Sequence, residues 1–499
     1  MGTDGSDAVK YVLFLLALAA CDGCDGGKYS VERLQNPETC KDCHPKHYDQ
    51  WSGSMHAYAS DDPVFVAMNK RGQRDTNGEL GNFCLTCHAP MALELGLADG
   101  ATFDPAALPP EARGITCFFC HNVEQVTDDH NNPIKLAMDQ TMRGGAKNAV
   151  DTPAHHSKYD AELMASKTNQ STMCGSCHDL VTPAGVHLER SFKEWKESIW
   201  ATNDPDPLAF LPQTCSNCHM FPTDGVIADN PTLHVKSRTL GFHEHMWPAI
   251  DQALTPFPQM TEQAAGIKRD LADSIGIKGP KPRNSNETPG GICLDPPGLL
   301  NVRVDSFSVG HMFPSGAAQD RRMWVHVVVK DAGGTILYER GKLDPGVDPE
   351  QSTDLTLNCA PPTNPLIPSQ CGSFYDRTYK SDGTQAHFFW EVDRYDSFLI
   401  RPAVTRDPNA VGYDHSTTVQ YQVAPAVFSG ADRIEAELLM RPLPFEMLHQ
   451  LEQSGDIDPS IRTTLEAMPP IAVGRKSIWT KATAGMVGSP AENTNCNPE

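Results

Sequence analysis

The stretch of sequence that decides the fold runs from residue 40 to residue 219, where the pattern Cys-x-x-Cys-His occurs five times. The five copies are Cys40-Lys-Asp-Cys43-His44, Cys84-Leu-Thr-Cys87-His88, Cys117-Phe-Phe-Cys120-His121, Cys174-Gly-Ser-Cys177-His178 and Cys215-Ser-Asn-Cys218-His219. A random order of the 16 cysteines and 19 histidines among 499 residues would give only about 0.02 copies. The repetition is therefore not a consequence of composition.

This pattern is typical of covalent attachment of c-type haem. Two thiols reach the two vinyl groups of one porphyrin, and the adjacent histidine supplies a nitrogen to the iron. Zinc and iron–sulfur sites also use Cys-x-x-Cys, but they do not require a histidine after each second cysteine. The sequence therefore predicts five c-type haems, attached through the ten motif cysteines, with the motif histidines His44, His88, His121, His178 and His219 as iron ligands.

The segment that carries the motifs is short for the number of haems that it is predicted to hold. Each haem has about 36 residues of chain available to it. So little side-chain mass cannot form an ordinary apolar core, and the porphyrin faces must supply much of the buried surface. We expect this segment not to fold without haem.

Composition and charge limit the function classes. The chain is 39% hydrophobic and 21% charged, with 40 prolines and 38 glycines. These values are typical of a soluble globular protein that is rich in loops, and 499 residues allow two or three domains. The formal net charge of −22 argues against a nucleic-acid partner and favours a basic redox partner protein.

The N-terminus has the pattern of an export signal. Lys10 is followed by an apolar run over residues 11–20, about half of the ~20 residues that span a bilayer. Leu18-Ala-Ala-Cys21 resembles the bacterial lipobox, in which the cysteine is lipidated. The alternative is a conventional secretory signal. We therefore predict a lipoprotein-type signal at residues 1–20, lipidation of Cys21, a tether over 21–37, and an exported lipoprotein of a bacterial cell envelope, facing the periplasm or the outer surface.

The rest of the chain predicts an α+β protein. A mainly helical, loop-rich pentahaem domain (38–255) is followed by a helix and linker (256–298), with the helix at 261–277. From residue 299 the apolar periodicity becomes two, which indicates an antiparallel β-sandwich over 299–444. A helical tail is expected over 445–499. The candidate strands are 299–309, 323–329, 335–343, 386–400, 417–424 and 433–439, and the tail helices 445–453 and 460–468.

Several stretches resemble the multihaem cytochromes of the cytochrome c-554 type. Residues 40–57 carry the first motif followed by Trp51 and by Ser54-Met-His56-Ala, which is similar to the N-terminal haem unit of that family. Residues 82–90 and 114–121 resemble the second and third units, and 189–198 and 214–222 resemble a helix after a haem and the last unit. The resemblance covers about residues 38–250, and residues 299–345 through one loop and the strand pattern.

The resemblance also implies second, distal ligands for the irons. The four candidates are His56, His156, His245 and His311. His156 is preferred to its neighbour His155, and His243 and His234 are alternatives to His245. His311 lies in the loop Val309-Gly-His-Met-Phe-Pro314-Ser-Gly316, similar to a loop with which some multihaem cytochromes reach from a β-domain to a haem. The fifth iron is left with His243, His187 or His130, or with no distal ligand. His47, close behind His44, is expected to be exposed.

The cysteines outside the motifs predict little. They are Cys21, Cys24, Cys293, Cys359, Cys371 and Cys496. Export permits disulfides, and Cys359 with Cys371, which flank a Pro-rich loop, form the expected pair.

The sequence favours electron transfer through the five haems, with an oxidoreductase as the alternative. An electron carrier fits irons that all have two histidine ligands and so cannot bind a substrate. An oxidoreductase acting on nitrite, hydroxylamine or a sulfur oxyanion needs one open iron with cationic and proton-donating groups nearby. Arg321 and Arg322 are the nearest cationic candidates, although ion pairs explain them equally well. A third possibility is that the β-domain binds a partner and the haem segment supports it.

Overall fold

The computed structural model describes residues 27–160, 169–201, 213–229, 235–278, 291–356, 372–405, 407, 410 and 415–482. The predicted signal segment, Cys21 and the expected pair Cys359–Cys371 lie outside these ranges. Cys293 is disulfide-bonded, and its partner also lies outside them. Within the described ranges, no helix is both long enough and apolar enough to cross a bilayer.

The haem-binding region is built from short helices joined by loops, as predicted. The motifs form parts of these helices, and Thr116 and Thr214 cap the helices of the third and fifth motifs by accepting hydrogen bonds from backbone N–H groups. The helices of the region are α1 Val31–Gln35, α2 Glu38–Lys41, α3 Pro45–Ser52, α4 Met55–Tyr58, α5 Pro63–Asp75, α6 Leu85–His88, α7 Pro90–Glu94, α8 Cys117–His121, α9 Asn169–Gly175, α10 Ser191–Glu197 and α11 Cys215–His219.

Four two-stranded sheets hold the loops between these helices. They are β1 Val123–Val126 with β2 Ile134–Leu136, β3 Thr141–Gly144 with β4 His156–Tyr159, β5 Leu180–Val181 with β6 His187–Leu188, and β7 Pro222–Gly225 with β8 Arg238–His243. The β3–β4 pair is parallel and the other three are antiparallel. Each sheet fixes a loop next to a motif.

The C-terminal region is an antiparallel sandwich of two sheets. One sheet contains β9 Gly276–Ile277, β10 Ile292–Asp295, β11 Leu299–Asp305 and β17 Ser416–Gln422; the other contains β12 Arg322–Lys330, β13 Ile336–Arg340, β14 Ser373–Phe374, β18 Arg433–Arg441 and β19 Ile471–Thr480. A hairpin of β15 Asp376–Tyr379 and β16 Arg394–Ser397 lies beside them. Alternate residues of β11, β12 and β18 share one apolar core, as period-two patterning requires.

The boundaries differ from those expected from the sequence. Helix α12 Met260–Ala272 lies in the segment that was predicted to be a helix and linker between the domains. Its side chains Ile267 and Leu271 instead pack into the sandwich core. Strand β19 lies within the predicted helical tail and pairs with β18. The remaining helices are α13 Thr353–Thr356, α14 Pro425–Gly430, α15 Phe445–Gln453 and α16 Pro459–Ala467. Helices α15 and α16 pack on α5 of the haem region, so the tail covers that region.

The two regions meet where the loop around His311 lies against α10. The Ser315 and Ser191 hydroxyls are 2.6 Å apart, and the Met312 N–H donates to the Glu194 carboxylate at 3.0 Å. On the same side of the loop, Arg321 forms two 2.6 Å hydrogen bonds with Asp251. These contacts fix the β-domain loop relative to the haem region.

Glu194 makes this interface sensitive to pH. Burial raises the pKa of Glu194 to about 8, above the value of 4.5 that the free side chain has. The folded protein therefore holds a proton that the unfolded chain releases, and Glu194 reduces stability as the pH rises from about 4.5 to about 8. A Glu194→Gln variant keeps a side-chain oxygen that can accept the Met312 N–H, and it has no carboxyl group that gains or loses a proton.

We predict that the variant and the wild-type holoprotein have similar unfolding free energies at pH 5. At pH 8 the variant should be more stable by an amount on the order of a few kcal/mol. Guanidinium unfolding at the two pH values measures the difference. A difference that does not change with pH would show that Glu194 is ionised in the folded protein.

Candidate haem-binding site

The structure brings all five motifs together. We number the haem sites 1 to 5 by the chain order of the motif histidines His44, His88, His121, His178 and His219. Thiols of different motifs are in contact: Cys40 with Cys117, Cys87 with Cys177, and Cys174 with Cys215. Site 1 therefore adjoins site 3, and site 4 adjoins sites 2 and 5. Cys120 of site 3 also interacts electrostatically with Cys174 and Cys177 of site 4, so a continuous cluster of haems can occupy this arrangement.

Four of the motif histidines face a second histidine at nearly the same distance. The ring-centre distances are 6.5 Å for His44 and His155, 6.4 Å for His121 and His245, 6.2 Å for His178 and His56, and 6.3 Å for His219 and His311. Two imidazoles on opposite sides of one metal, each bonded at about 2.0 Å, have ring centres about 6 Å apart. The spacing fits a haem iron between the two rings of each pair.

Hydrogen bonds leave one nitrogen of most of these rings available. The Nδ1 atoms lie 2.6–3.0 Å from backbone carbonyl oxygens: His44 from Ile227, His121 from Arg143, His155 from His156, His245 from His243 and His311 from Met312. When Nδ1–H donates to a carbonyl, Nε2 carries the lone pair, and it is the atom that can bind a metal.

Electrostatics also favour metal binding by these rings. Burial, helped by neighbouring histidines, lowers the pKa of His56 and His245 to about 3, and burial lowers the pKa of His178 and His311 to about 4. The imidazoles are therefore neutral at neutral pH, as ligation requires.

At site 1 the structure selects the neighbour of the residue preferred from the sequence. His155 faces His44, whereas His156 is half exposed and its Nδ1 lies 2.8 Å from the Asp151 carboxylate. His156 begins β4, where successive side chains point to opposite sides. A register difference of one residue therefore decides which histidine faces the site.

Site 2 differs from the other four. The His88 ring stacks on Phe65, with ring centres 4.1 Å apart, and its Nδ1 lies 3.2 Å from the Ala59 carbonyl oxygen. Among the histidines that the structure describes, none faces His88 as the four pairs face each other. His243 is bonded to the Met220 carbonyl, and His130 and His187 lie 6.3 Å from one another.

The comparisons with known proteins concern the first three motifs and the overall fold. The family model of cytochrome c554 and c-prime matches residues 39–122, which contain the first three motifs. This part of the chain is therefore similar to the multihaem c-type cytochromes of the c554 type. The match supports c-type haem and electron transfer in general terms.

A solved structure shares the fold of this chain. The crystal structure of a penta-heme cytochrome c552 from Thermochromatium tepidum superimposes with a TM-score of 0.53 at 17% sequence identity, over 91% of this chain and 99% of that chain. No curated protein matches the chain significantly.

Two ring-bearing side chains of the site were not expected from the sequence. His47, predicted to be exposed, packs 4.2 Å from Phe242 and 4.7 Å from His245, and burial lowers its pKa to about 2. Trp247 lies against His56 and His245. Trp247 lies three residues after Glu244 in a stretch rich in aromatic residues and histidines. That composition was the sequence signal that could have placed Trp247 at the site.

The two candidate cationic residues have structural partners. Arg321 pairs with Asp251, and Arg322 pairs with Glu350 at 2.7 Å. Both arginines are almost fully buried, so these ion pairs must compensate their desolvation.

The choice between His155 and His156 can be tested directly. In the His155→Ala variant, site 1 loses the ring opposite His44, and we predict that one low-spin haem becomes high-spin. The matched His156→Ala variant should keep the wild-type spectrum. Low-temperature electron paramagnetic resonance of the oxidised proteins measures both. A high-spin signal in His156→Ala alone would restore the assignment preferred from the sequence.

Proposed function

We propose that this cytochrome binds five haems and carries electrons through them in a bacterial cell envelope, anchored to a membrane by lipid on Cys21. The observation that carries the proposal is the set of four opposed histidine pairs, 6.2–6.5 Å apart, beside their attachment cysteines. The export and lipidation parts rest on the sequence of residues 1–21 alone.

An iron with two histidine ligands has no position for a substrate, so it can only exchange electrons. The thiol contacts give sites 1 and 3 one common edge and make site 4 the neighbour of sites 2 and 5. Electrons can therefore enter or leave at more than one end of the cluster. The net charge of −22 favours basic redox proteins as partners and disfavours nucleic acid.

Site 2 supports a second candidate function, reduction or oxidation of nitrite, hydroxylamine or a sulfur oxyanion. Its bound haem would supply an open coordination position and exchange electrons with site 4. Glu189 interacts electrostatically with Cys87 of this motif and accepts a hydrogen bond from Gln319 at 3.1 Å. Burial raises the pKa of Glu189, so the carboxyl group is suited to hold and donate a proton.

The Glu189 backbone supports a functional role for the side chain. Its φ of 51° lies in the left-handed region, which a residue with a Cβ occupies at a cost. The neighbouring structure holds this conformation and directs the carboxyl group toward Gln319.

Haem quantification and spin-state measurement on the oxidised holoprotein test the proposal. We predict five haems per chain, four of them low-spin and one high-spin from site 2. Fewer than five haems, or more than one high-spin haem, would contradict the assignment of the pairs.

Substrate trials separate the two functions. If site 2 is catalytic, nitrite, hydroxylamine or sulfite should change the high-spin signal and be turned over with a redox dye. Glu189→Gln should then reduce turnover without changing the haem count. Five low-spin haems would exclude the second function and leave electron transfer.

A further inference from the structure

Aromatic rings connect three of the haem sites in one series. From His44 of site 1 the series passes to His47 at 5.8 Å, to His245 of site 3 at 4.7 Å, to Trp247 at 5.1 Å and to His56 of site 4 at 4.7 Å. Three members are iron ligands under the proposed function, and two, His47 and Trp247, are not. The two contacts of Trp247 are the more informative, because one indole touches the distal rings of two different sites.

Trp247 is held in this position by its surroundings. Its φ of 45° is left-handed, which is unusual for a bulky residue and requires support from neighbouring contacts. Two residues before Trp247 in the chain, His245 faces His121 of site 3. Directly after Trp247, the Pro248 carbonyl accepts a hydrogen bond from His219 of site 5. His245 and Pro248 are thus held by contacts with sites 3 and 5, and the Trp247 indole lies against His56 of site 4.

The His56 ring depends on this contact more than the other distal rings do. His155, His245 and His311 each have a backbone carbonyl beside Nδ1. For His56, the described part of the chain provides no hydrogen bond to either ring nitrogen. Its orientation is therefore set by packing, in which the Trp247 ring meets it edge-on at 71°.

The His56 pair also has a different relative orientation. The two imidazole planes at site 4 are inclined by 64°, whereas those at sites 1, 3 and 5 are inclined by 25°, 16° and 16°. The angle between two axial imidazole planes sets the splitting of the iron orbitals. Crossed planes give a more anisotropic low-spin ferric signal than aligned planes, and they alter the electronic state of the haem.

We propose that Trp247 is a positioning residue that holds the His56 imidazole crossed to that of His178 and joins sites 3 and 4 through ring contacts. This inference rests on the ligand pairs of the proposed function. It gives one side chain control over the electronic state of site 4, the site that adjoins sites 2 and 5.

The test compares three variants of the full-length holoprotein by low-temperature electron paramagnetic resonance. Trp247→Leu removes the ring that fixes His56, and we expect loss of the single highly anisotropic low-spin signal while the signals of the aligned sites remain. Trp247→Phe keeps a smaller ring, and we expect that signal to broaden. Trp324→Leu is the matched control, because Trp324 is buried in β12, where its Nε1–H donates to the Gly341 carbonyl.

The control should lower thermal stability and leave all haem signals unchanged, which separates positioning from general destabilisation. An anisotropic signal that persists unchanged in Trp247→Leu would overturn the role of Trp247 and leave the ligand pairs intact. If that variant does not accumulate with haem, an unchanged signal in Trp247→Phe has the same meaning. Absence of the signal from the wild type would overturn the crossed orientation at site 4 and this inference with it, whereas a second high-spin haem would contradict the His56–His178 pair and the proposed function.

Discussion

The facing of two imidazoles at the spacing of one iron, which we propose lies between them, is the constraint on which the rest of this structure depends. Each of the four pairs joins parts of the chain that are distant in sequence, at ring-centre distances within a few tenths of an ångström of each other. Under the proposed function, the two motif cysteines and the motif histidine would hold one side of each haem, and the opposed histidine would hold the other. Short helices and two-stranded sheets suffice between them because the haem-binding segment needs no continuous apolar core of its own.

The same constraint relates the β-domain to the haem region. His311 belongs to the loop before β12 and faces His219 at site 5, while Met312 and Ser315 bind α10 through hydrogen bonds. Separation of the two regions would break these contacts together with any bond from His311 to iron. The sandwich, which has a large core of its own, would thus be a rigid support for His311 as an iron ligand under the proposed function.

The sequence predicted the parts of the molecule that follow local rules. The motif spacing predicted five sites that the structure brings together, and period-two alternation located β11, β12 and β18 because one face of each strand is buried. It did not separate His155 from His156, since one residue of register in a short edge strand decides between them. It missed the burial of His47 and the contacts of Trp247, which depend on how distant loops pack around the haem sites. It also missed β19, whose partner β18 lies beyond two intervening helices.

The coordination at site 2 distinguishes between the two functions that the molecule can support. Four sites have rings on both sides and suit electron transfer, whereas His88 has only Phe65 stacked on it among the described rings. A carboxyl group with a raised pKa, Glu189, acts on the same motif. A carrier needs no such group, while redox chemistry on a small nitrogen or sulfur compound needs a proton donor. The coordination of this one iron therefore decides how the protein is classified.

A crystal structure of the holoprotein with anomalous differences measured at the iron edge tests the central claim most directly. Our account predicts five iron positions, four of them between the Nε2 atoms of His44 and His155, His121 and His245, His178 and His56, and His219 and His311. The fifth should lie beside His88 with no second histidine from the described part of the chain. An iron bound by a different pair, or a histidine opposite His88, would contradict it.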